Sequence, residues 1–221
     1  MIRAIVFDFD GTLANTLPSL AEGVNRMLLQ LELPTHTEEE VRTFINRGAR
    51  ELCRSALPAS LRADEKFLDR ALAVYNDAYA EVCENARLYD GVAELLSALR
   101  PRYRVGVLSN KPHAFLLRLC NAILPKGSFD AVQGVVDGAT KPDPALTGRL
   151  LDALGVPADE CLMVGDSTVD IATARAAGMQ HLGVTWGFQS EEILRTAGAK
   201  SLAATSGEIL QFLASADAQH V

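Results

Sequence analysis

Residues 4–13 read AIVFDFDGTL, a short apolar run that ends in two aspartates and a glycine. Four consecutive apolar residues at the start of such a run are typical of a strand buried on both faces of a parallel sheet. Asp8 and Asp10 point to the same side if the strand continues, because side chains alternate along a strand. Gly11 then allows a sharp turn. The pattern places two carboxylates at the carboxyl end of a parallel strand, where open α/β sheets bind ligands.

Two carboxylates this close repel each other unless a proton or a cation separates them. A divalent cation meets that need, and oxygen ligands of this kind suit Mg²⁺. Asp8 or Asp10 alone could be an ordinary turn or helix-cap residue. The pair at a strand end favours a ligand-binding site.

Further apolar runs of strand length follow, and helical patterns lie between the later ones. Alternation of strand and helix from about residue 90 onward predicts a doubly wound α/β fold with a mostly parallel, Rossmann-like sheet. The predicted strands are Ala4–Phe7, Val105–Leu108, Ala131–Val136, Cys161–Val164 and His181–Val184.

Residues 15–83, called the helical insert below, lack β-rich runs. They carry two long apolar stripes at helical spacing, one from Leu17 to Leu31 and one from Phe67 to Val82. Short helices are expected between them, around 38–45 and 49–57. We therefore predict an α/β core formed by 1–14 and 84–221, interrupted by an all-helical second domain over 15–83.

Three more loops of the predicted core carry polar side chains toward the same sheet edge. The segment GDSTVD after the strand at 161–164, the pair after the strand at 105–108, and the segment KPDP supply Asp166, Asp170, Ser109, Asn110 and Lys141. Each has an ordinary alternative as a helix cap, a turn residue or a solvated side chain. Together they could hold Mg²⁺, a phosphoryl group and a nucleophile at one site.

The chain has 221 residues and a formal net charge of −7. An acidic surface repels phosphodiester polymers, so we expect no nucleic-acid partner. The N-terminal apolar run is too short for a signal segment or a membrane span, so we expect no membrane partner. The four cysteines form no CxxC motif, which favours free thiols in a reducing cytoplasm over a zinc site.

Taken in order, four segments resemble the four motifs of the haloacid dehalogenase-like hydrolases. They are DFDGTL at 8–13, Ser109-Asn110, Lys141-Pro142 and GDSTVD at 165–170. The resemblance covers nearly the whole chain, and the helical insert resembles the small α-helical cap of that family. Within the family the chain is most similar to bacterial phosphoglycolate phosphatases, an impression strengthened by NRGA at 46–49 and GVTWGF at 183–188.

The resemblance implies a Mg²⁺-dependent phosphatase that acts on a small phosphorylated metabolite. Asp8 would attack phosphorus and become an aspartyl-phosphate. Asp10 would protonate the leaving alcohol and then activate water. The helical insert would close over the site, with hinges near 14–16 and 85–88.

The resemblance also assigns binding roles. Mg²⁺ would be held by the Asp8 carboxylate, the Asp10 backbone carbonyl and Asp166. The phosphoryl group would be bound by Ser109, Asn110 and Lys141, with Asp170 and Thr12 in support. Phosphoryl transfer depends mostly on such positioning and charge neutralisation.

Alternatives within the family stay open. Dehalogenases lack the second aspartate, so Asp10 argues for phosphoryl chemistry. Phosphonate hydrolases need a lysine in the cap, but Lys66 stands at an apparent helix start and is better explained as solvated. Sugar-phosphate phosphatases, β-phosphoglucomutase-like mutases and pyrophosphatases are not excluded.

Two alternatives come from other functional classes: a receiver-like phospho-signalling domain and a catalytically silent binding protein. For the substrate itself, phosphoglycolate is the first hypothesis. Arg47 and Arg50 are the candidates in the helical insert to bind its carboxylate, although both could be solvated helix residues. Either a monomer or a homodimer is compatible with the sequence.

Overall fold

The computed structural model describes residues 1–45 and 47–218. Its strands are β1 Ala4–Phe7, β2 Ala14–Asn15, β3 Arg87–Leu88, β4 Arg104–Pro112, β5 Ala131–Val135, β6 Cys161–Gly165, β7 Gln180–Val184 and β8 Leu202–Ala203. Its α-helices are α1 Leu17–Gln30, α2 Glu38–Arg42, α3 Ala49–Ala56, α4 Glu65–Val82, α5 Val92–Leu99, α6 His113–Ile123, α7 Pro144–Leu154, α8 Thr168–Ala177, α9 Glu191–Thr196 and α10 Ser206–Ala218.

The main sheet has six parallel strands in the order β5-β4-β1-β6-β7-β8. β1 lies at its centre, paired with β4 on one side and β6 on the other. The carboxyl ends of these three strands are therefore adjacent. This confirms the predicted doubly wound α/β fold and brings the segments after Phe7, Leu108 and Val164 to one edge.

Helices cover both faces of the sheet because alternate residues of β1 belong to opposite apolar clusters. Ile5 and Phe7 pack in a cluster with α5, α6 and α10, whereas Ala4 and Val6 pack in another with α7 and α8. All four side chains are buried. Burial on both faces explains why the strand reads as a continuous apolar run.

The helical insert is built on α1 and α4, which pack against each other. Gly23 allows the close approach, because an added Cβ would lie 3.2–3.3 Å from the rings of Tyr79 and Tyr75. Thr37 and Glu40 form a capping box that starts α2. The short helices α2 and α3 end earlier than predicted, at Arg42 and Ala56.

Two short segments link the helical insert to the core. β2 and β3 pair antiparallel, with Ala14 opposite Leu88 and Asn15 opposite Arg87. Hinges are expected there from the sequence but strands are not, since a two-residue strand carries no readable alternation. The same reason explains why β8 was missed. Over 1–45 and 47–218, no helix is both long enough and apolar enough to span a bilayer.

Candidate active site

Asp8 occupies the centre of the sheet edge, directly after β1. Its backbone N–H donates to the carbonyl of Val164 (2.9 Å), and its carboxylate accepts from the N–H of Phe9 (2.7 Å). Nζ of Lys141 lies 2.9 Å from Asp8 Oδ1. Burial raises the pKa of Asp8, against the opposing effect of Lys141.

Lys141 bridges two carboxylates. Its Nζ lies 2.7 Å from Asp170 Oδ1 as well as near Asp8, and its side chain is 2% exposed. Burial opposes its charge, yet the carboxylates of Asp170 and Asp8 raise the pKa of Lys141 overall. The ammonium is therefore held charged beside Asp8, rather than solvated at the surface.

Asp170 is fixed by the start of α8. Ser167 is the N-cap of that helix, and it forms a capping box with Asp170 at the third helical position. The N–H and hydroxyl of Ser167 donate to Asp170 Oδ2 at 3.0 and 2.6 Å. The cap residue is thus Ser167, and Asp166, which the sequence analysis weighed as a plain cap, is left to point toward the site.

Asp166 lies in a cradle between two glycines. An added Cβ on Gly11 or on Gly187 would come within 2.3–2.4 Å of its side chain. Thr12 Oγ1 donates to Asp166 Oδ1 (2.9 Å), and the N–H of Phe188 donates to Oδ2 (2.7 Å). Burial, with a further contribution from Asp170, raises the pKa of Asp166 to about 7.

Carboxylate oxygens of Asp8, Asp166 and Asp170 lie within 4.8 Å of one another, and all three residues are buried. Lys141 neutralises one of the three charges. A divalent cation fits the remaining charge and the all-oxygen donor set. Because both oxygens of Asp170 already accept hydrogen bonds from Lys141 and Ser167, Asp8 and Asp166 are the better candidates for direct ligands.

Asp10 faces the helical insert. Its Oδ1 accepts from Thr16 Oγ1 (2.6 Å), its Oδ2 accepts from Ser109 Oγ (3.4 Å), and Nζ of Lys111 lies 3.2 Å away. The structure thus brings Ser109 to the same edge as Asp10.

Asn110 holds the backbone of Lys141. Its Oδ1 accepts from the Lys141 N–H (2.6 Å), and its Nδ2 donates to the Lys141 carbonyl (3.4 Å). Two bonds to one residue fix the loop that carries the ammonium. Direct phosphate binding by Asn110, as the resemblance implies, stays a prediction.

Lys111 is a buried cation that the sequence analysis missed. Nζ donates to the hydroxyl of Tyr79 (2.9 Å) and lies 4.6 Å from the centre of the Tyr79 ring. Burial opposes its charge, but Asp10 and Tyr79 raise the pKa of Lys111 overall. The signal available in the sequence was its position directly after Ser109 and Asn110, and the structure extends β4 to Pro112 and so carries Lys111 to the sheet edge.

The two arginines expected to bind the substrate carboxylate do not reach the cavity. Arg50 pairs with Glu65 and Asp69, each at 2.7 Å, on the outside of the helical insert. Arg47 is exposed and does not line the cavity. Asn46, part of the NRGA segment, lies outside the described residues. Arg50 forms ion pairs on the α3–α4 surface in this structure, and carboxylate binding by Arg47 or Arg50 stays a prediction.

A cavity lies between the sheet edge and the helical insert, and its volume is about 60 Å³. Since about 10–15 Å³ suffices for one water molecule, this space corresponds to roughly four to six water molecules. The core side is lined by Asp8, Asp10, Ser109, Asn110, Lys111 and Lys141, and the insert side by Leu20, Ile45, Leu52, Tyr75, Asn76 and Tyr79.

The chain is similar to known proteins over most of its length. Residues 5–184 match the model of the family described as haloacid dehalogenase-like hydrolase. The chain is 37% identical over 194 residues to a phosphoglycolate phosphatase of Pseudomonas putida, covering 84% of this chain and 70% of that protein. It is also 37% identical over 204 residues to a phosphoglycolate phosphatase of Rhodospirillum rubrum, covering 87% and 83%.

Solved structures share the fold. A Lactobacillus delbrueckii subsp. bulgaricus protein, whose phosphoglycolate phosphatase assignment is provisional, is 30% identical with a TM-score of 0.85, and the match covers 94% of this chain and 96% of that one. A haloacid dehalogenase-like hydrolase of Streptococcus pneumoniae has a TM-score of 0.86 at 22% identity, covering 96% and 98%. At that identity the second likeness supports the fold alone.

Proposed function

This chain belongs to the haloacid dehalogenase-like hydrolases, and we propose on that premise that it is a Mg²⁺-dependent phosphatase of small phosphate esters, with phosphoglycolate as its first candidate substrate. One observation carries the proposal: Asp8, Lys141 and Asp166 converge on the sheet edge beneath a small cavity. The names of the relatives from Pseudomonas putida and Rhodospirillum rubrum support the choice of substrate.

The proposed first step is an in-line attack of an Asp8 carboxylate oxygen on phosphorus. A bond forms between that oxygen and phosphorus, the bond from phosphorus to the ester oxygen breaks, and Asp10 gives its proton to the departing oxygen. The product alcohol leaves, and Asp8 is left as an aspartyl-phosphate.

The second step regenerates the enzyme. Asp10 takes a proton from water, the water oxygen attacks phosphorus, and the bond to Asp8 breaks to release inorganic phosphate. Lys141 and Ser109 bind the phosphoryl oxygens in both steps. When bound at Asp8, Asp166 and the Asp10 carbonyl, Mg²⁺ would neutralise charge on the phosphoryl group.

Lys111 is the proposed binding group for the far end of the substrate. The cavity contains two lysines, and Lys141 lies beside Asp8, where the phosphoryl group would bind. Lys111 lies at the end of β4 and faces the helical insert, next to Asp10 and Tyr79. A carboxylate on the leaving group would reach this second ammonium, which suits an ester as small and as anionic as phosphoglycolate.

The helical insert, residues 15–83, is proposed to act as a cap over the core formed by 1–14 and 84–221. Support comes from Tyr75, Asn76 and Tyr79 of α4, which line the cavity opposite Asp8. Closing such a cap excludes water from the aspartyl-phosphate until the alcohol has left.

The test is a screen of phosphate esters with purified protein and Mg²⁺. Phosphoglycolate is expected to give the highest kcat/KM, above hexose phosphates, nucleoside monophosphates and pyrophosphate. A hexose phosphate as best substrate would contradict the substrate proposal but leave the phosphatase. A persistent phosphoprotein without turnover would indicate a receiver-like domain, and no reaction with any ester would indicate a silent binding protein.

A further inference from the structure

Arg42, the last residue of α2, connects the helical insert to a loop of the core. Its Nε donates to the carbonyl of Phe188 (2.9 Å), and its Nη2 donates to the carbonyl of Gly187 (3.0 Å). These bonds span 146 and 145 positions of the chain. The planar guanidinium can serve two adjacent carbonyls at once, which a lysine ammonium does with less geometric control.

The same loop holds Asp166 from its other side. The N–H of Phe188 donates to Asp166 Oδ2 at 2.7 Å. Gly187 lies so close that a Cβ there would be 2.3 Å from the Asp166 Cβ. A shift of this loop therefore cannot occur without moving the Asp166 carboxylate.

One peptide group carries the connection. The carbonyl of Gly187 and the N–H of Phe188 belong to the same peptide unit, so the guanidinium, the peptide and the carboxylate form a hydrogen-bonded chain. A cation at the carbonyl end polarises the peptide and strengthens the bond that its N–H donates. Arg42 thereby acts on Asp166 through one peptide, without touching it.

We propose that Arg42 is a positioning residue. It couples seating of the helical insert, meaning its contact with the core through the loop at 187–188, to divalent-cation binding at Asp166. When the insert is seated, the bonds from Arg42 fix the loop at 187–188 and with it the orientation of Asp166. By reciprocity, a cation bound at Asp166 favours the seated insert. The inference rests on the proposed function only in assigning Asp166 as a cation ligand.

If Arg42 served only to stabilise the fold, replacing it would lower the melting temperature in chelator and leave the Mg²⁺ midpoint unchanged. Its side chain is 36% exposed, and its carboxylate neighbour Glu39 lies 3.6 Å away and is 77% exposed. Removing an ion pair this exposed changes stability little, so the effect of losing Arg42 comes from its two bonds to the carbonyls of Gly187 and Phe188. Arg42 therefore can be replaced without leaving an uncompensated charge inside the protein.

The chain supplies its own reporter of this loop. Trp186, its single tryptophan, precedes Gly187 and donates from Nε1 to the carbonyl of Thr12 (3.1 Å). Thr12 in turn donates to Asp166 (2.9 Å). Tryptophan fluorescence should therefore respond when a cation reorders Asp166.

The experiment compares Arg42→Gln and Arg42→Lys with a matched control, Arg26→Gln. Arg26 is 40% exposed and pairs with Glu22 and Glu81 within the helical insert. Each full-length protein is titrated with Mg²⁺ in the absence of substrate, following Trp186 fluorescence and the melting temperature. Activity against phosphoglycolate is then measured across the same Mg²⁺ range.

We expect Arg42→Gln to raise the Mg²⁺ midpoint by roughly tenfold, within the usual range of coupling between sites. The Mg²⁺ midpoint of Arg42→Lys should be closer to that of Arg42→Gln than to that of the unmodified protein. Arg26→Gln should leave the midpoint unchanged. The melting temperature in chelator should be similar for all four proteins.

An unchanged Mg²⁺ midpoint in Arg42→Gln would overturn the coupling, while the phosphatase proposal would stand. An equal shift in Arg26→Gln would also overturn it, since any loss of a surface arginine would then suffice. If the unmodified protein gives no Mg²⁺ response in either readout, the cation site itself is wrong and both proposals fail.

Discussion

Nζ of Lys111 lies 3.2 Å from Oδ1 of Asp10, and both groups face the cavity. The contact places a cation from the end of β4 beside the carboxylate proposed to move protons. It also distinguishes the two lysines of the site, because Lys141 contacts Asp8 and Asp170 instead. In the proposed mechanism, Lys141 therefore binds the phosphoryl group and Lys111 binds the leaving group.

Replacing Asp8 with asparagine should abolish turnover. A carboxamide is a poor nucleophile, yet it has nearly the shape of the carboxylate and keeps the backbone bond to Val164. Release of phosphate from phosphoglycolate and the melting temperature are the two measurements. Activity near that of the unmodified protein in a folded Asp8→Asn variant would contradict nucleophilic attack by Asp8.

Replacing Asp10 with asparagine should lower kcat by about 10²–10⁴-fold, the usual range for a lost general acid or base. The loss should be smaller with p-nitrophenyl phosphate, whose leaving group needs little protonation. Comparing kcat for the two esters checks this. If both esters lose the same factor, Asp10 contributes something other than the proton to the leaving group.

Lys111→Met should reduce selectivity for an anionic leaving group. Loss of a charge-assisted hydrogen bond costs about 1.5–3 kcal/mol, which predicts a fall in kcat/KM for phosphoglycolate of roughly 10- to 150-fold. Ethyl phosphate, which has no carboxylate, should lose much less, and Lys111→Arg should restore part of the preference. The ratio of the two kcat/KM values separates this role from a general effect on Asp10, which would weaken both esters equally.

Magnesium should stabilise the folded protein. Three buried carboxylates share one ammonium, so a divalent cation that binds only the folded state raises the free energy of unfolding by about 2.7 kcal/mol at one hundred times its Kd. Thermal unfolding with Mg²⁺ and with chelator measures the shift. Asp166→Asn should abolish most of it, and an undiminished shift in that variant would place the cation elsewhere.

His181 should make stability depend on pH. Both of its ring nitrogens are buried without a hydrogen-bond partner among the described residues, and burial lowers the pKa of His181. Histidine in the unfolded chain has a pKa of about 6.5 and binds the proton more readily. The contribution of His181 to the free energy of unfolding is therefore fully present above that pH and is lost as the pH falls below it.

The check is urea unfolding at pH 7.5 and pH 5 for the unmodified protein and for His181→Leu, which cannot titrate. The free energy of unfolding should drop more between the two pH values in the unmodified protein. Equal drops in the two proteins would show that other groups account for the pH dependence.

Local sequence was sufficient for the architecture. The apolar run at 4–7 predicted a strand buried on both faces, and the alternation after residue 90 predicted a parallel sheet, because periodicity reports which faces of an element are buried. The carboxyl-edge rule for parallel sheets then placed Asp8, Ser109 and Asp166 together, as the order β4-β1-β6 confirms. The KPDP segment predicted Lys141 at the same edge, whereas its contact with Asp8 is given only by the tertiary structure.

The partners of the long side chains were decided only by the tertiary structure, because these contacts join segments far apart in the chain. It paired Arg50 with Glu65 and Asp69, away from the cavity, and placed Lys111 inside it against Tyr79. It also set Arg42 on the carbonyl of Gly187. A sequence pattern reports the burial of a residue's own element, whereas the partner of a long side chain depends on which other element packs beside it.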